Sequence, residues 1–307
     1  MTSIAGDESQ RPAALRQATG TWGTAQTAFL VLCLASEAIL FLYDRGSAYI
    51  GLGAFAYSLI LWIITRSCIK YDPAAEDVGL RTRASGLRLY ARVAVVAATL
   101  LFVAYETSWG AALVWNSRAE VFVQHVSAAI GLGYGDTALP NFLVYVLIPG
   151  FLLFALGAKP LELGLAAWQK GSWHALLGAF ILPAVFIGIW FSKGHGAIGL
   201  LTFMLVRNFL SNGFSEEFLT RGMAMSHLRA FFTKDWGLVL QAMLFGLLHF
   251  GGTISEQHGN WVMAFANVIA LNAPTGFFLG LIALRARSIV LPGLIHMTLD
   301  TLKDVVM

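Results

Sequence analysis

The chain has 307 residues, 57% hydrophobic and only 12% charged, with a mean hydropathy of +0.70. Soluble domains carry about a quarter charged residues, so a soluble fold is excluded. The net charge of +3 resides mainly in Arg and Lys placed between apolar stretches, where they set topology; it does not support nucleic-acid binding.

Residues 1–22 lack the apolar core of a secretory signal peptide and read as a short cytosolic tail. Apolar segments follow at 25–43, 48–65, 89–108, 142–157, 174–191, 196–214, 236–250, 261–284 and 289–306. A bilayer crossing takes about 20 apolar residues whose backbone is satisfied within the segment. The expected fold is therefore all-α, a polytopic integral membrane helix bundle with about eight transmembrane helices. Residues 23–195 form helices of unassigned role, and 196–307 carry the chemistry described below. The mixed stretch 110–140 suits an interfacial or re-entrant piece, and 158–173 a cytosolic connector.

The loop 66–92 carries Arg66, Lys70, Arg81, Arg83, Arg88 and Arg92 against Asp72, Glu76 and Asp77, an excess that marks the cytosolic side. The N-terminus is then cytosolic. So are 215–235, with Arg221, Arg229 and Lys234, and the link holding Arg285 and Arg287.

Ionisable groups inside membrane segments are costly, and each marks a candidate site. Glu37 interrupts the first segment and is expected to pair with a polar group on another helix. Glu106 falls near a segment end, and Cys33 and Cys68 read as packing residues without metal-ligand spacing. Gly133-Tyr134-Gly135-Asp136 matches a potassium-channel filter in letters, but Gly131 stands where threonine is usual; a glycine-rich turn is the better reading. Asn267, Asn272 and Pro274 are positioned to kink the eighth segment.

In the sixth segment Arg207, Asn208, Ser211, Asn212 and Ser215 form one helical stripe that leads to Glu216 and Glu217. Neighbouring carboxylates diverge by about 100° on a helix. Arg221, four residues after Glu217, is placed to pair with it, leaving Glu216 free to act as a base. Phe245 and His249 share a helical face, as do His296 and Asp300.

Glu216-Glu217-x-x-x-Arg221, Phe245-x-x-x-His249 and His296-x-x-x-Asp300, in this order and on helices, resemble the type II CAAX prenyl endopeptidases and their bacterial relatives, the CPBP or Abi family of membrane proteases. The resemblance covers about the last 110 residues. It implies an intramembrane glutamic endopeptidase in which Glu216 and His249 activate water while His296 and Asp300 serve the oxyanion, supported by Glu217, Arg221 and Phe245. A carboxylate partly withdrawn from water is a better base near neutral pH.

The eukaryotic form has asparagine at the place of Asp300; an ionised Asp300 cannot donate to an oxyanion and is better suited to orient His296. The resemblance implies no cofactor. Glu with two His also suits a zinc hydrolase, but H-E-x-x-H is missing, which leaves zinc as the lesser alternative. The implied partners are the lipid bilayer and a membrane-associated protein or peptide, either prenylated or bearing a C-terminal transmembrane or sorting segment. The form of the motifs points to a bacterial cytoplasmic membrane, with water entering from the cytosolic side. The competing reading is a non-catalytic transporter, channel or bacteriocin-immunity protein using the same polar groups for binding.

Overall fold

The computed structural model describes residues 23–70, 79–105, 118–132, 136–165, 168–194 and 196–306, and among these there is no β-strand. The tail 1–22, Asp72, Glu76, Asp77, Glu106 and Gly133–Gly135 lie outside the described residues.

Two apolar helices open the chain, α1 (Thr24–Tyr43) and α2 (Arg45–Cys68), joined at Asp44, whose side chain accepts from the Ser47 backbone and caps α2. Then come α3 (Gly86–Tyr105), α4 (Arg118–Ala129), α5 (Ala138–Ala155) and α6 (Ser172–Ser192). The long run α7 covers 198–231 and alternates α-helical pieces with π-helical ones at Phe209–Gly213 and Phe218–Met225. After it come α8 (Lys234–Leu248), α9 (Phe250–Glu256), α10 (Trp261–Ala286) and α11 (Val290–Val306).

Among the described residues six helices are long and apolar enough to cross a membrane, or seven if the bent pair α8–α9 counts as one span. The expectation of about eight included 196–214 and 289–306, and neither qualifies alone. The stripe from Arg207 to Ser215 dilutes the first, and α11 has only 17 residues.

The centre of the bundle is α10, 72% buried over its apolar window against 17–39% in the other five spans. It packs on α2, α8 and α11, while α6 covers α2 and α11 from outside. Phe151, Leu177 and Ile181 point outward from α5 and α6 and are exposed, the pattern of a surface solvated by lipid.

Backbones approach closely where the helices that later carry the site cross. A Cβ on Gly213 of α7 would lie 2.7 Å from the Gly293 carbonyl oxygen and 2.9 Å from the Met297 nitrogen of α11. A Cβ on Gly276 of α10 would meet Phe245 of α8 at 3.0 Å. Small residues at crossings let membrane helices pack backbone to backbone. In α10 the π turn Val268–Asn272 comes just before Pro274, whose nitrogen cannot donate to the carbonyl four residues back.

Connectors of the first half lock onto one end of the second. Arg229 donates to the carbonyls of Gly79 and Leu80, and the Thr82 N–H donates to the Ser226 carbonyl. Arg92 and Glu162 form a buried ion pair at 2.9 Å, Arg92 also holding the Leu156 carbonyl. The Ile289 N–H reaches the Gly164 carbonyl, and Arg285 the Ile69 carbonyl.

Several arginines read above as loop charges are therefore structural. Arg92, Arg221 and Arg229 are buried, which leaves Arg66, Lys70, Arg81, Arg83 and Arg88 to mark this end of the bundle. Glu37 also departs from expectation: its carboxylate lies against Gly51 of α2, and its Oε1 is buried without a hydrogen-bond partner. Both cysteines are free thiols.

Candidate active site

On α7, Glu217 and Arg221 form a fully buried ion pair at 2.8 Å. The guanidinium also donates to the Gly276 carbonyl of α10 at 2.8 Å and to the Thr220 hydroxyl, and it sits 4.5 Å from the centre of the Phe245 ring. Gln241 of α8 donates to the same Gly276 carbonyl at 3.0 Å. One charge pair thus ties α7, α8 and α10 together, and removing either partner would strand a buried charge at a cost of about 3–5 kcal/mol.

His249 stands at the break between α8 and α9, whose axes differ by 43°. Its backbone N–H turns to the Gly246 carbonyl, so the Phe245 carbonyl is open to another donor, and the His249 ring takes it through Nδ1 at 2.8 Å. A carbonyl only accepts, so Nδ1 carries the hydrogen, and in the neutral ring Nε2 bears the lone pair. That Nε2 lies 3.9 Å from Oε2 of Glu216.

His296 approaches from α11. Its Nδ1 lies 3.2 Å from Oε1 of Glu217, while Nε2 lies 4.0 Å from Oε2 of Glu216 and 3.9 Å from Oδ2 of Asp300. The Phe245 ring packs on both imidazoles, with centroids at 4.9 Å from His249 and 5.8 Å from His296. Oε2 of Glu216 therefore faces two histidines, is itself buried, and has no direct hydrogen-bond partner. All seven residues singled out from the motifs converge on this point.

Further polar groups extend the cluster. Asn212 donates to Oδ2 of Asp300 at 3.0 Å, and Asn208 donates to Thr301 and to Oδ2 of Asp304 at 2.9 Å. Arg207 donates to Asp136 and to Asn208. Asn208 and Asn212 were visible in the stripe without an assigned partner. Gln241 was overlooked, although its four-residue step to Phe245 and eight-residue step to His249 put all three on one face. Among the described residues no group of three or more His, Cys, Asp or Glu is arranged to hold a metal ion.

The family model that matches the chain is type II CAAX prenyl endopeptidase Rce1-like, over residues 198–302. This segment is Rce1-like. It runs from the start of α7 into α11 and so contains the whole cluster around Glu216. The matched segment is about a third of the chain, and over it α7–α11 are similar to the type II CAAX prenyl endopeptidases. No curated protein and no solved structure matches the chain.

Proposed function

We propose that the protein is an intramembrane endopeptidase that hydrolyses a peptide bond of a membrane-associated protein with a water activated by Glu216 and His249. The observation that carries this reading is the carboxylate oxygen of Glu216, buried, without a direct partner and about equally far from two imidazole Nε2 atoms. A separation of 3.9 Å is too long for a hydrogen bond but suits two groups that share one water, each at roughly 2.8 Å from it.

Glu216 accepts a proton as the water oxygen attacks the carbonyl carbon, and His249 Nε2 aligns the second O–H. The carbon–oxygen π bond opens to an oxyanion. His296, with Nδ1 committed to Glu217, donates to that oxyanion through a protonated Nε2, and the Asp300 carboxylate, 3.9 Å from that nitrogen, favours the charged ring. The carbon–nitrogen bond then breaks, and the proton taken by Glu216 goes to the departing amine. General base catalysis of this kind contributes about 10²–10⁴-fold, and an oxyanion donor about 10²–10³-fold.

Substrates with a prenylated tail or a C-terminal transmembrane or sorting segment suit the apolar surroundings. The test compares the termini of membrane proteins, by mass spectrometry, in cells making the wild-type chain or Glu216→Gln at equal levels. Termini that depend on Glu216 are the expected result; identical termini with a folded variant would refute the assignment. The same cleavage should withstand a zinc chelator, and loss restored by added zinc would replace the proposed mechanism with a metal one.

A further inference from the structure

The polar groups between α7 and α11 form rungs at four-residue steps on both helices, running in opposite senses. Asn208 meets Asp304, Asn212 meets Asp300, and Glu216 with Glu217 meets His296. Exposure of the α11 side chains grows along the series: 9% for His296, 24% for Asp300, and Asp304 exposed. The series is continued by Arg207, one-third exposed, and its partner Asp136.

In the other direction from Glu216 the same helices are closed. Glu217 and Arg221 are fully buried, and so, to within 2%, are Phe218, Leu219, Met223 and Ile295. That closed end is the one where Ser226, Arg229 and Ile289 bond to connectors 79–82 and 164. It is also the end bearing Arg66, Lys70, Arg81, Arg83 and Arg88, the cytosolic end by the positive-inside rule.

We infer that water reaches Glu216, and the scissile bond is presented to it, from the membrane face opposite the basic connectors, along the polar rungs between α7 and α11. Of the substrates proposed above, this selects a transmembrane or sorting segment whose cleaved bond lies in the extracytoplasmic half of the bilayer over a prenylated cytosolic tail. This reverses the side of water entry expected from the sequence, and its substrate half rests on the proteolytic reading of Glu216.

Accessibility can be read without proteolysis. In the full chain with Cys33 and Cys68 replaced by alanine, Asp304→Cys is exposed to a membrane-impermeant charged maleimide, in intact cells with the outer barrier removed and in inverted membrane vesicles. Modification from the outside only is expected, with Arg83→Cys showing the reverse. Modification of position 304 from the cytosolic face, from both faces or from neither overturns the inference. If Asp304→Cys does not accumulate, Asp300→Cys probes the next rung with the same outcomes. Among termini that depend on Glu216, positions in the extracytoplasmic halves of spans are expected, and termini confined to cytosolic tails overturn the substrate class while leaving the catalytic assignment intact. Termini unchanged by Glu216→Gln would instead remove the proteolytic reading, and the labelling result would still decide the side of entry.

Discussion

Glu216 and Glu217 are chain neighbours with different surroundings. Glu217 is fully buried against Arg221 and His296, whereas the Glu216 side chain is 18% exposed and faces two imidazoles at the distance of a shared water. Glu216→Gln should therefore lower the cleavage rate by about 10²–10⁴-fold with an unchanged unfolding midpoint in detergent. Glu217→Gln should act on stability, since it leaves Arg221 charged and unpaired; a loss of about 3–5 kcal/mol is expected, seen as a lower midpoint in thermal unfolding. Asp300→Asn keeps an oxygen for Asn212 to donate to and should retain most of the activity, whereas Asp300→Leu should not; rates of the two purified variants on one substrate separate the cases. The pairs within one helix were legible beforehand because helical spacing alone brings Glu217 to Arg221 and His296 to Asp300. The Asn212–Asp300 contact was not, because it depends on how far α11 is slid along α7, which no single-helix periodicity records.

Helix geometry sets that sliding. The crossing at Gly213 and Gly293 fixes which turn of α11 lies beside Glu216, and a side chain at Gly213 would meet backbone rather than a movable side chain. Gly213→Val should push the helices apart and lower activity on the order of 10²-fold, the scale of an ångström of misplacement, in protein that still inserts; rate and insertion are measured on the same membranes. In a regular α-helix, positions four apart drift by about 40° per step. The π turn at Phe209–Gly213 adds a residue to its turn and takes back part of that drift, which keeps Asn208, Asn212 and Glu216 facing α11. π turns of this kind often mark functional sites. Apolar patterning located the helical run, but the extra residue could not be read from it, because a π turn and an α turn use the same side chains.

At the scale of the whole molecule, the two halves are not independent. Connector carbonyls of Gly79, Leu80 and Gly164 satisfy Arg229 and Ile289 of the Rce1-like segment, and α10 is sheathed by α1 and α2. A chain beginning at residue 196 should neither accumulate nor cleave, as checked by immunoblot of membranes and by the termini assay; stable, active protein from that fragment would refute the dependence. The helical, many-span character was plain from composition. The number of self-sufficient spans was not, because the helices bearing the polar cluster around Glu216 are the less apolar ones. Neither 198–231 nor Val290–Val306 is among the segments that would enter a bilayer on length and hydropathy alone, and each charged group carried to the middle costs about 2.5–3.5 kcal/mol during insertion. Glu217 and Arg221 offset each other within α7, but the groups that complete their surroundings and face Glu216 are synthesised later, on α8, α10 and finally α11. Biogenesis should therefore be ordered, with α7 settling in the bilayer only after His296 and the Gly276 carbonyl have emerged, so that the membrane receives the polar cluster as a finished assembly.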